Sequence, residues 1–197
     1  MLSRGISPNL KTFYSVYNAL SQKGDDEKME YYNQELKKYN IKENGMLYKF
    51  QLEYFAQKQD LTGVMDILMK IESDPSVNMT GPFVRVLVDC IGRCDRPQDM
   101  INYVSSIERA GVPPYLEVYI TLIKHMDRLL SPQSAIQMYH IATKHKNLTP
   151  TPELWNLMLK VYAKAKDKQG IKMLLDEFSK NNIAPDLDAL KAAEQIK

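Results

Sequence analysis

The sequence predicts an all-α solenoid made of helix–turn–helix repeats of 35–36 residues. Three observations predict it. A short turn motif recurs at almost constant spacing, two apolar stripes of helical period lie between successive turns, and no stretch alternates apolar and polar residues as a half-buried strand does. Because neither stripe can be buried within one unit, successive units are expected to stack on one another.

Six stretches of similar sequence mark the predicted turns. Each begins with an aliphatic residue, and their first residues are 35, 36, 35, 36 and 35 positions apart. The stretches are Ile6–Asn9, Ile41–Asn44, Val77–Thr80, Val112–Tyr115, Leu148–Thr151 and Ile183–Asp186. A single domain over residues 1–197 is therefore expected, with repeats at approximately 10–44, 45–80, 81–115, 116–151 and 152–186. Residues 1–9 are expected to be the tail of a preceding repeat, and residues 187–197 a partial sixth.

Each repeat is predicted to begin with an α-helix, named helix A. With the residue after each turn counted as position 1, apolar residues occupy positions 4, 8 and 11, which share one helical face. These columns hold Phe13, Tyr48, Val84, Tyr119 and Trp155, then Tyr17, Leu52, Val88, Ile123 and Leu159, then Leu20, Phe55, Ile91, Met126 and Tyr162. Residue types that end or start helices follow at Gly24, Asp60, Pro97, Pro132 and Asp167.

A second helix, named helix B, is predicted after each break. Its apolar residues occupy positions 20, 23 and 27, again with helical spacing. These columns hold Met29, Val64, Met100, Ala135 and Ile171, then Tyr32, Ile67, Tyr103, Met138 and Leu174, then Leu36, Ile71, Ile107, Ala142 and Phe178. The additional residue of the two longer repeats falls after position 27, in the connecting loop, where insertions cost least.

The ends of the repeats resemble those of the pentatricopeptide repeat family. An aliphatic residue followed by x-Pro-Asn or x-Pro-Asp occurs in Ile6–Asn9 and Ile183–Asp186, and position 4 is often aromatic. Tetratricopeptide repeats have about 34 residues and a small residue at position 8, where this chain has large ones. The resemblance implies a right-handed superhelix with helix A lining its concave face. It also implies binding of single-stranded organellar RNA, one base per repeat.

In that family, position 5 and the last residue of a repeat read the base. The corresponding pairs are Tyr14 with Asn44, Lys49 with Thr80, Arg85 with Tyr115, Ile120 with Thr151, and Asn156 with Asp186. The last pair resembles a uracil-preferring combination, although Asp186 is also a residue type that caps helices. Lys49 and Arg85 suit phosphate better than a base edge, whereas Ile120 cannot hydrogen-bond a base.

Position 13, at the end of helix A, supplies a predicted phosphate ladder. It holds Gln22, Gln57, Arg93, Arg128 and Lys164, and the last three recur at one-repeat spacing. The alternative is that these cations complement the helix dipole. Residues 76–197 contain 16 basic and 13 acidic groups, net +3, so RNA is expected to favour this part of the chain. Glu117 and Glu153, at position 2, would oppose a phosphate backbone.

Other chemistry finds little support in the sequence. Glycine-rich phosphate loops and nucleophile elbows are missing, so no enzymatic activity and no cofactor are expected. Cys90 and Cys94 are expected to be structural thiols, and the acidic run 25–27 to begin a helix. Two functions stay open. One is an RNA-binding adaptor in RNA processing, stability or translation in the mitochondrial matrix or a chloroplast. The other is a protein-binding scaffold, for example a subunit of a mitochondrial ribosome.

Overall fold

The computed structural model describes residues 8–196, which form eleven α-helices and, within that range, no β-strand. The first six helices are α1 (Leu10–Lys23), α2 (Asp26–Lys38), α3 (Gly45–Gln57), α4 (Leu61–Ser73), α5 (Gly81–Arg93) and α6 (Pro97–Arg109). The others are α7 (Leu116–Leu129), α8 (Pro132–Lys144), α9 (Pro152–Ala165), α10 (Lys168–Lys180) and α11 (Leu187–Glu194). Two consecutive helices fall within each predicted repeat, which confirms the all-α helical-repeat class. Most of the predicted tail at 1–9 lies outside the described residues.

Every helix A begins at the predicted position 1, because the preceding residue has extended backbone and in three repeats caps the helix. Asn9 Oδ1 and Asn44 Oδ1 accept hydrogen bonds from the third helical N–H at 3.1 and 3.2 Å, and Thr151 Oγ1 does so at 3.5 Å. Helix B uses the same device at Asp25, Asp60, Ser131 and Asp167. The acidic run at 25–27 therefore begins α2, as predicted.

The six apolar columns form the core of the repeats. All of their residues are buried except Tyr32 and Phe55, which are partly buried. Helix A is also buried on a second face that these columns do not predict. From the second repeat on, positions 7 and 10 are buried, with residues Gln51, Tyr54, Leu87, Cys90, Leu122, His125, Met158 and Val161. The middle helix α3 packs against α1, α4 and α5, so it needs more than one buried face.

Two repeats pack a glycine of helix B directly under an aromatic ring of helix A. Gly63 and Gly170, both at position 19, lie against the rings of Phe55 and Tyr162, both at position 11. A Cβ atom at these glycines would lie only 2.2 and 2.3 Å from the nearest ring carbons. The absence of a side chain is what allows the two helices to approach so closely.

The turn between helix A and helix B uses a left-handed residue at position 15 in four of the five repeats. Gly24, Gln59, Asp95 and Lys166 have φ values of 67°, 56°, 56° and 55°. Only the first of them is a glycine, the residue type that adopts this conformation without steric cost.

The helices separate into two compact units, with the division between Arg96 and Pro97. The first unit contains α1 to α5, with α3 packed against α1, α4 and α5. The second contains α6 to α11, with α9 packed against α7, α8, α10 and α11. The division falls between the two helices of the third predicted repeat.

Candidate nucleic-acid interface

In the second unit, the predicted base-reading pair of repeat 5 is joined by a hydrogen bond. The backbone N–H of Asp186 donates to Asn156 Oδ1 at 2.9 Å, and Asn156 is only 8% exposed. This bond fixes the orientation of the amide, so Asn156 Nδ2 supplies the donors for any ligand. The carboxylate of Asp186 is exposed and makes no capping hydrogen bond to α11. The capping alternative for this side chain is therefore not realised.

In the first unit, the pair of repeat 1 is also in direct contact. Asn44 Nδ2 donates to the hydroxyl oxygen of Tyr14 at 2.6 Å, while Asn44 Oδ1 accepts from Leu47 N–H at 3.2 Å. The amide of Asn44 is thus engaged on both sides by the protein. The Tyr14 hydroxyl keeps its own proton for donation to a ligand.

The remaining predicted positions differ in what they present. Lys49 Nζ lies 3.9 Å from Glu53 Oε1 on the same helix, and Arg85 is exposed. Ile120 is buried and belongs to the core. The hydroxyl of Thr151 is used as the cap of α9. Among the predicted base-reading pairs, direct hydrogen bonds between the two members therefore occur in repeats 1 and 5.

The predicted phosphate ladder is engaged in intramolecular contacts. Arg93 Nε lies 3.2 Å from Asp89 Oδ2, and Lys164 Nζ forms an ion pair with Asp127 Oδ2. An Arg128 guanidinium nitrogen lies 3.2 Å from His125 Nδ1. All three cations lie in the last turn of their helices, where they also complement the helix dipole. Their positive charge is available to phosphate only in competition with these contacts.

Ion pairs between neighbouring repeats were not apparent from the sequence. Lys124 Nζ of α7 lies 3.2 Å from Glu153 Oε1 of α9, so this position-2 carboxylate is partly neutralised. The Lys164–Asp127 pair links the same two helices. The only sequence signal for these two ion pairs is that residues of opposite charge lie about one repeat apart in the chain, at positions that stacked repeats bring together.

The two cysteines lie beside the ladder but do not suit reactive chemistry. Burial raises the pKa of the Cys90 thiol to about 12, so the thiolate is disfavoured. Burial also raises the pKa of Cys94. Within residues 8–196, no cluster of three or more His, Cys, Asp or Glu side chains could hold a metal ion. None of the helices in that range is long and apolar enough to cross a membrane.

No protein-family model and no curated protein matches this sequence.

Comparison of structures does find similar proteins. The maize pentatricopeptide repeat protein PPR10 superposes with a TM-score of 0.77 and 17% identity, over 98% of this chain and 27% of PPR10. PPR10 in complex with an 18-nucleotide psaJ RNA element gives a TM-score of 0.76 and 19% identity, over 98% of this chain and 28% of PPR10.

A second protein of similar structure is the nuclear proteinaceous RNase P 2 (PRORP2) from A. thaliana. It has a TM-score of 0.66 and 11% identity, over 94% of this chain and 41% of PRORP2. This chain therefore spans less than half the length of either solved protein. The likeness shows that its helices have the fold of pentatricopeptide repeats.

Proposed function

We propose that this chain is a single-stranded RNA-binding adaptor that acts in RNA processing, stability or translation within an organelle. The observation that carries the proposal is the geometry at Asn156. A backbone N–H of the last residue in the repeat holds the amide so that its N–H donors remain for a ligand, next to the exposed residue Asp186. The likeness of fold to PPR10, which was solved with RNA, supports the same conclusion.

The chemistry of this pair suits a base edge with an acceptor beside a donor. Uracil presents the O4 carbonyl next to N3–H, which match the amide donor of Asn156 and the carboxylate of Asp186. In repeat 1, the Tyr14 hydroxyl, held by Asn44, would supply one donor and an aromatic ring edge. Lys49 and Arg85, together with the ladder residues Arg93, Arg128 and Lys164, would contact phosphates. Base preference should therefore be strongest at repeat 5.

The compartment follows from the resemblance in the repeat sequences rather than from a targeting feature. We place the protein in the mitochondrial matrix, with the chloroplast as the alternative. Partner proteins of an organellar assembly are part of the same proposal.

A protein-binding scaffold is the second candidate, and one observation favours it. Arg93 and Lys164 are ion-paired with carboxylates of their own chain, which weakens the positive field that an RNA backbone needs. A helical-repeat subunit of a mitochondrial ribosome or another large organellar complex would not need that field.

Titration of the purified chain with single-stranded RNA at several salt concentrations separates the two. Asn156→Ala should weaken binding by about 1 kcal/mol, and only for RNA that contains uracil, because one base-directed hydrogen bond is lost. Asn102→Ala, at an exposed position on α6, is the matched control and should leave affinity unchanged. Circular dichroism at the titration temperature verifies that each variant is folded.

Two results would contradict the proposal, the first for RNA binding itself and the second for base reading by Asn156. One is the absence of RNA binding by the wild-type chain even at low salt. The other is an equal loss of affinity for uracil-containing and uracil-free RNA in Asn156→Ala. The first of these makes the scaffold the better description.

A further inference from the structure

Asp127 is a largely buried carboxylate on the face that the proposed function assigns to RNA. It lies at position 12 of repeat 4, on α7, and its side chain is 12% exposed. Oδ2 pairs with Lys164 Nζ of α9, whereas Oδ1 is buried and accepts no hydrogen bond from the described residues. The other four repeats have small residues at this position: Ser21, Ala56, Gly92 and Ala163.

A buried carboxylate with one unsatisfied oxygen depends strongly on its single cation. Removal of the cation would leave a buried charge without compensation, which is costly. Lys164 is the more mobile partner, because its side chain is 58% exposed at the end of a flexible stem. The ammonium is therefore held at Asp127 rather than projected freely into solvent.

We infer that Asp127 is a positioning residue that attenuates the contact between Lys164 and RNA phosphate. The inference rests on the RNA-binding function proposed above. Lys164 and the base-reading residue Asn156 are both on α9, so the attenuated phosphate contact belongs to the repeat that reads a base. A phosphate must compete with Asp127 for the ammonium, which reduces the sequence-independent part of binding at this repeat.

The Lys124–Glu153 pair provides a matched comparison on the same two helices. It also joins a lysine to a carboxylate, but the side chains are 55% and 66% exposed. Solvent screens such a pair, so its carboxylate should compete only weakly with phosphate. Removal of either carboxylate changes the net charge by the same amount.

The test is a titration of fluorescently labelled oligouridine into the full chain at several salt concentrations. Asp127→Asn should raise affinity at low salt by about 5- to 10-fold and steepen the salt dependence by about 0.7, the value for one phosphate contact on a single strand. Glu153→Gln should raise affinity by less than about 2-fold. Asp127→Ala, which cannot bond Lys164 at all, should change affinity in the same direction as Asp127→Asn.

A thermodynamic cycle with Lys164→Gln isolates the contact from net charge. In that background, Asp127→Asn should change affinity no more than Glu153→Gln does, because no ammonium remains to be released. The inference would be overturned if Asp127→Asn and Glu153→Gln raised RNA affinity equally. It would also be overturned if Asp127→Asn raised affinity as much in the Lys164→Gln background as in the wild type. In both cases RNA binding itself would stand. If neither the wild type nor any variant binds oligouridine, both the function and the inference fail.

Discussion

At the scale of single residues, side chains cap helices within a repeat and also join helices of neighbouring repeats. Asn9, Asn44 and Asp25 cap helices through bonds that span three residues, which a sequence pattern can reveal. The Asn156–Asp186 hydrogen bond joins two residues that the family resemblance pairs as readers of one base, but the bond itself was not predicted. The Asp127–Lys164 pair joins residues 37 positions apart, and a local sequence pattern does not reveal a contact over that distance.

The left-handed turn at Lys166 leads to a prediction of increased stability. Its φ of 55° places Cβ close to the following carbonyl, whereas glycine adopts this conformation without that strain. Lys166→Gly should raise the free energy of unfolding by about 1 kcal/mol. Denaturant unfolding measures it. The control Lys160→Gly lies within α9 and should lower stability by about 1 kcal/mol; a loss of stability in both variants would contradict the prediction.

At the scale of the helix, both the boundaries and the main buried face follow from periodicity. The second buried face of helix A does not, because Gln51 and His125 interrupt the apolar column at positions that neighbouring elements cover. A hydrophobic pattern predicts the burial of apolar residues. It does not predict the burial of a polar residue, which depends on the elements that pack around it.

The close approach of Gly170 to Tyr162 should make a single methyl group destabilising. Gly170→Ala should lower the free energy of unfolding by about 1–3 kcal/mol, because the new Cβ would overlap the tyrosine ring. The steric overlap with the ring should thus outweigh the gain of about 1 kcal/mol that alanine has over glycine within a helix.

Two controls accompany the Gly170→Ala measurement. Gly45→Ala should be tolerated, since its nearest neighbour would be 3.8 Å from the added Cβ. In a Tyr162→Leu background, Gly170→Ala should lower the free energy of unfolding by less than it does in the wild type. Calorimetry on the four variants tests this, and equal costs in both backgrounds would show that the ring is not the cause.

Helix B of repeat 5 is expected to depend on two side chains. Leu174 and Phe178 are essentially inaccessible to solvent, and Phe178 packs edge-on against Trp155 with ring centroids 5.3 Å apart. Either Leu174→Ala or Phe178→Ala should lower the free energy of unfolding by about 2–5 kcal/mol through loss of burial and creation of a cavity. Leu187→Ala, at an exposed position, should change it by less than about 0.5 kcal/mol. Unchanged melting temperatures of both Leu174→Ala and Phe178→Ala would contradict the assignment of these residues to the core.

At the scale of the whole chain, the helical-repeat class was predictable because the same evidence recurs five times. A single amphipathic pattern is ambiguous, whereas a register repeated at nearly constant spacing is difficult to explain by any other fold. The division into two units between Arg96 and Pro97 had no signal in the sequence, since the repeat pattern continues through that point.

The charge distribution of the chain predicts how RNA binding responds to neutralisation of the ladder. Replacement of Arg93, Arg128 and Lys164 by glutamine should weaken binding to every RNA sequence alike and reduce the salt slope by about 1–2 units. The upper value is expected if all three cations contact phosphate without competition from the carboxylates of the chain. Replacement of Lys37, Lys70 and Lys172, which are exposed on helix B, is the control with the same change in net charge. Equal effects of the two triple replacements would mean that binding follows total charge rather than the ladder.

The glycine beneath an aromatic ring determines which parts of the chain can be exchanged. Where position 11 is Leu20, Ile91 or Met126, position 19 carries a side chain, namely Lys28, Asp99 or Ser134. A chimera that joined α9 to one of those second helices would drive that side chain into the Tyr162 ring, whereas α4, with its own glycine, would fit. For the two repeats with an aromatic ring at position 11, the building block for recombination is therefore the complete helix pair, and their second helices can be replaced only by each other.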